Sequence, residues 1–121
     1  MAVGWVRMMG AATAAYGLST VVRPAVLAKP CHLTEPDGSV SAPTALLVRA
    51  MGVRDTAMGT AMLLAKTPSA SRMASTCRIA SDLSDAALFG TLLPVVAARK
   101  KAAAVAGGWG LLCALAAWAE D

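Results

Sequence analysis

Apolar residues run along this chain in four long stretches, each ended by proline, glycine or charge, and the pattern predicts four helices. The first is expected over about 3–22 and stops at Arg23-Pro24, where the proline ring disrupts a continuing helix. Residues 23–44 carry Pro24, Pro30, Pro36 and Pro43 among Lys29, His32, Glu35, Asp37 and Gly38, which predicts a loop with a short interfacial turn around 25–28. A second helix is expected over 45–65, closed by Pro68, and a third over 73–98, kinked near its far end by Pro94. The fourth, over 102–119, follows the basic run Arg99, Lys100 and Lys101. Two of these helices carry stripes of small residues: Gly10, Ala14 and Gly17 on the first, and Gly107, Gly110, Ala114 and Ala117 on the fourth. In lipid such stripes let a neighbouring backbone approach closely.

Composition changes what these helices are for. Hydrophobic residues make up 57% of the 121 residues and charged residues only 15%, against roughly 25% charged in an ordinary soluble domain. A soluble four-helix bundle needs a polar stripe on every helix, and the first and fourth have almost none. The expected fold is therefore all-α: a four-helix transmembrane bundle forming one integral, multi-pass membrane domain over 1–121. Arg7 before an apolar run and the small residues near Val26-Leu27-Ala28 suggest a cleaved signal, but Pro24 inside that segment and the later apolar stretches favour retention. The basic residues Arg23, Lys29, Arg99, Lys100 and Lys101 outnumber Arg7, Lys66 and Arg72 across the expected topology, which leans toward both termini outside.

Charges inside the apolar stretches supply the candidate chemistry. Arg49, Arg54 and Asp55 interrupt the second helix, where Arg49, Gly52, Asp55, Thr56, Gly59 and Leu63 share one side and Arg54 points away. On the third, Arg78, Asp82, Asp85, Phe89, Leu92 and Val96 lie in one arc, extended by Ser71 and Ser75. An unpaired charge at the bilayer centre costs about 2.5–3.5 kcal/mol, so six together would cost roughly 15–20 kcal/mol. Three cations and three anions on helices joined by a short turn are therefore expected to neutralise one another, with those helices face to face and Arg78 reaching Asp82 one turn on. Such a network either only holds the helices together or lines a polar pocket for a lipophilic small molecule. The candidate site comprises Asp55, Asp82 and Asp85, as acid and base if the protein is an enzyme, with Arg49, Arg54, Arg78, Gly52 and Gly59 around them.

The runs Tyr16-Gly-Leu-Ser-Thr-Val-Val-Arg-Pro24 and Arg49-Ala-Met-Gly-Val-Arg-Asp55-Thr-Ala-Met-Gly59, followed by Asp82 and Asp85, resemble the small DoxX-like four-helix membrane proteins of unknown function. The resemblance covers nearly the whole chain and rests most on the R-x-x-G-x-R-D-x-x-x-G run. It implies a compact membrane bundle of a kind found in bacteria and fungi and sometimes encoded beside enzymes of small-molecule biosynthesis. It brings no catalytic residue with it.

Other classes lack residue support. Cys31, Cys77 and Cys113 are far apart with no C-x-x-C pair, and Cys31 beside the sole histidine, His32, reads as a loop pair, so neither a metal nor a cofactor is expected. The net charge of +4 is carried by scattered Lys and Arg, and only five aromatics are present, so nucleic acid is not an expected partner. No nucleotide loop or hydrolase triad order is present, and no pair of broken helices suggests a transporter. The expected partners are membrane lipid, a lipophilic small molecule, and a second copy or another membrane protein docking on the small-residue faces of helices one and four. The alternative is a membrane enzyme doing acid/base chemistry, such as protonation, cyclisation or epoxide opening, on an isoprenoid-like substrate.

Overall fold

The computed structural model describes residues 3–119, and among them the chain is all-helical with no strand. The helices are α1 (Val3–Val22), α2 (Ala25–Ala28), α3 (Ala42–Leu64), α4 (Pro68–Leu92) and α5 (Val96–Ala119). The single turn of α2 is the one expected around 25–28.

Three prolines act differently from the sequence expectation. Pro43 lies in the first turn of α3, where its missing N–H costs nothing, and the Ser41 hydroxyl caps that helix by accepting from the Thr44 backbone N–H. Pro68 opens α4 rather than closing α3, and Thr67 Oγ1 caps it by accepting from Ala70 N–H at 3.1 Å. Pro94 ends α4 altogether. The third helix therefore does not run to 98: the chain turns between Leu92 and Val96, and Val96 and the Arg99–Lys101 run belong to the first turns of α5. Arg99 fastens this turn by donating from Nε to the Leu93 carbonyl at 2.7 Å.

The tightest packing joins α1 to α3 and α4 to α5, and the two pairs meet along α3–α4 and α1–α5. The expected face-to-face pairing of α3 and α4 is thus looser than the pairing of α3 with α1 and of α4 with α5. Glycine explains the α1–α3 crossing. A Cβ at Gly59 would lie 2.4 Å from Ala14 N and 2.5 Å from the Gly10 carbonyl, and one at Gly17 would lie 2.6 Å from the Gly52 carbonyl. Only hydrogen at these Cα atoms lets the two backbones touch. On α5, a Cβ at Gly110 would meet the Asp82 Cβ at 3.0 Å. Gly10 and Gly17 on α1 and Gly110 on α5 are therefore occupied within the chain, and those positions do not serve as the docking faces expected for a partner.

Two small apolar clusters sit at opposite ends of the long helices. One gathers Leu27, Ala28, Cys31, Val48, Leu93 and Ala98; the other gathers Val6, Met62, Cys113 and Ala116. Between them lies a buried polar layer of Asp55, Arg78 and Asp82. The outward faces are apolar: Leu46, Val53, Met73, Leu83, Val105 and Leu111 are all exposed. Among the described residues, α5 is the one helix long and apolar enough to cross a membrane by length and composition. The expectation of four spans meets that criterion at one helix, since charges interrupt α3 and α4 and Arg7, glycines and hydroxyls dilute α1.

Gly108 contrasts with the crossing glycines. Nothing lies within 4 Å of a Cβ built there. Gly108→Ala is expected to raise stability by about 0.5–1 kcal/mol through helix propensity alone, read as a higher thermal unfolding midpoint.

Candidate functional site

Asp55 sits near the middle of α3, on the side that Gly52 and Gly59 press against α1, and is 7% exposed. Its Oδ1 accepts from Arg78 Nη1 on α4 at 2.7 Å, and from Arg54 Nε and Nη2 at 3.2 and 3.0 Å. Arg54 also clamps Asp85 of α4 with two nitrogens, Nη1 to Oδ1 at 3.2 Å and Nη2 to Oδ2 at 2.7 Å. Arg78 completes the chain by donating from Nη2 to Asp82 Oδ1 one turn along α4. Two arginines and three aspartates thus form one connected network that ties α3 to α4.

The expectation of paired charges is met at Arg54, Asp55, Arg78, Asp82 and Asp85, with two corrections. Arg54 does not point away from the network: its long side chain folds back across the neighbouring Asp55. Arg49 is not part of the network. It is exposed and donates from Nε to the Val21 carbonyl at 3.0 Å. That carbonyl lies in the last turn of α1, just before Pro24 breaks the helical hydrogen-bond ladder, so Arg49 satisfies a group the helix leaves open. Gly52 and Gly59 belong to the helix crossing rather than to the polar centre. On the third-helix arc, Ser75, Arg78 and Asp82 are buried and Phe89 is half-buried, whereas Leu92 turns outward.

A cavity of about 450 Å³ opens against this network. Asp55, Arg78, Asp82 and Asp85 form its polar wall, and much of the remainder is apolar, from Val26, Leu27, Met51, Phe89, Ala106 and Trp109. This is the size and character of an ordinary small-molecule site: a largely apolar hollow with a few convergent polar groups. Trp109 is held by a 2.9 Å bond from its indole N–H to Thr13 Oγ1, which fixes the ring in the wall between α1 and α5. The network leaves three buried polar atoms without a partner among the described residues: Ser75 Oγ, Arg78 Nε and Asp82 Oδ2.

Sequence reasoning missed most of the cavity wall. Thr13, Tyr16, Trp109 and Lys101 all line it. The signal available for Thr13 was the spacing of Thr13, Gly17 and Thr20 one turn apart on α1, which puts these small and hydroxyl residues on one face. Cys31, read as one half of a loop pair, is also buried in the wall, and burial pushes its thiol above the usual cysteine range against the opposing influence of Lys101. His32 beside it is exposed and adopts φ 56°, a left-handed conformation that ends the segment after α2. No group of three or more potential metal ligands occurs among the described residues.

No family model matches the chain, and neither a curated protein nor a solved structure is significantly similar to it.

Proposed function

We propose that this chain is a DoxX-like, four-helix bundle embedded in a membrane, which binds a lipophilic small molecule in the cavity beside its Arg/Asp network. One observation carries the reading: the molecule is inverted relative to a water-soluble domain. Ionisable side chains are buried at its centre, while Leu46, Leu64, Leu83, Leu111 and Leu115 on three long helices lie outward and exposed. A soluble protein rarely exposes contiguous apolar patches beyond a few hundred Å², and lipid is the solvent that suits such faces. The polar layer then lies near the bilayer midplane, where ionisable groups pair with one another and mark a site.

Binding is favoured over catalysis because Asp55, Asp82 and Asp85 are each engaged by an arginine. The membrane-enzyme reading retains one observation in its favour: the three carboxylates face a cavity rather than being sealed from it.

The test is purification in mild detergent followed by mass spectrometry of the organic extract. Wild-type protein is expected to carry a lipophile in near-stoichiometric amount. Ala106→Phe, which fills the cavity, and Asp55→Asn are each expected to lose it while still folding. Retention of the same molecule by Ala106→Phe would place it elsewhere.

A further inference from the structure

We propose that the cavity selects a lipophilic organic cation, a quaternary ammonium or a protonated amine on an apolar body; this rests on the cavity being a ligand site as argued above. Three observations converge. The network sets the two arginines Arg54 and Arg78 against the three carboxyl groups of Asp55, Asp82 and Asp85, so it holds one acid more than it has arginines. The imbalance has a location. Asp82 is 3% exposed, and while Oδ1 accepts from Arg78, Oδ2 has no partner among the described residues.

The third observation is aromatic. The chain has five aromatic residues, and Tyr16, Phe89 and Trp109 line this cavity. Aromatic faces around a desolvated site are what organic cations seek, tryptophan most strongly. Electrostatics thus favours a cation at the carboxyl wall and at the rings alike, whereas an anionic ligand would meet the three carboxyl groups of Asp55, Asp82 and Asp85 there. Lys101 also borders the cavity, but it is exposed.

The experiment uses two probes of the same shape and different charge: naphthylmethyl-trimethylammonium and its neutral carbon isostere, in which the quaternary nitrogen is replaced by carbon. Each is titrated into wild-type protein in lipid nanodiscs, with empty nanodiscs as the blank. The cation is expected to bind at least tenfold more tightly than the isostere. Phe89→Leu, which changes the wall without touching an ion pair, is expected to weaken the cation several-fold and to leave the isostere nearly unchanged. Equal affinity for the two probes would overturn the proposed selectivity while leaving a lipophile site in place. Binding of neither would overturn the selectivity and the ligand-site reading together.

Discussion

Gly59→Ala is expected to destabilise the protein by about 1–3 kcal/mol, at the upper end of that range, although alanine is the better helix former. The added methyl would overlap Ala14 N and the Gly10 carbonyl, both backbone atoms, so no side chain can rotate away and α1 must move off α3. The displaced helix carries Thr13, which holds Trp109, and Val21, whose carbonyl Arg49 occupies. A thermal or detergent-denaturation midpoint measures the loss, with Gly108→Ala as a control expected to shift the other way. An unchanged midpoint in Gly59→Ala would mean that the two backbones do not touch.

Arg78→Leu is expected to have the larger effect, about 3–5 kcal/mol, because it strips Asp82 of its cation and Asp55 of one of its two. Much of that loss is the cost of leaving an anion buried without a partner rather than the strength of the ion pair itself. The double variant Arg78→Leu/Asp82→Leu removes both the cation and the anion that depends on it. It is expected to recover part of the loss, since Asp55 keeps Arg54. The midpoints of the wild type, the single variant and the double variant check this. A double variant less stable than Arg78→Leu would show that the network contributes packing or bonding beyond charge balance.

The same physics decides what was legible in the sequence. Buried charge is costly, so Arg49, Arg54, Asp55, Arg78, Asp82 and Asp85 within apolar stretches predict a paired network, and all but Arg49 join it. The pairing of Arg78 with Asp82 follows from a spacing of one helical turn. The crossing glycines were legible as small residues but not by their partner. Periodicity gives the face a residue occupies, and what lies opposite depends on how the helices pack. Arg49 shows the same limit: it shares a side with Asp55, yet it lies two turns nearer the helix N-terminus and finds an open carbonyl there instead of an aspartate.

Pro43 and Pro68 open helices because proline, which stops a helix from the C-terminal side, is welcome in a first turn, whereas Pro94 ends α4 instead of kinking it. Distinguishing the two uses requires the cap that precedes it, as Ser41 and Thr67 supply here. The cavity was least legible. The α4 part of its wall, Arg78, Asp82, Asp85 and Phe89, follows from helical spacing, but the wall also draws on α1, α2, α3, α5 and the loop after α2, and no spacing within one helix records that convergence.

Whether lipid covers the exposed apolar faces is read from the partition of the full chain between membrane and soluble fractions after an alkaline wash. The protein is expected to remain in the membrane pellet and to be released only by detergent. Recovery of folded, monodisperse protein in the soluble fraction would contradict that covering.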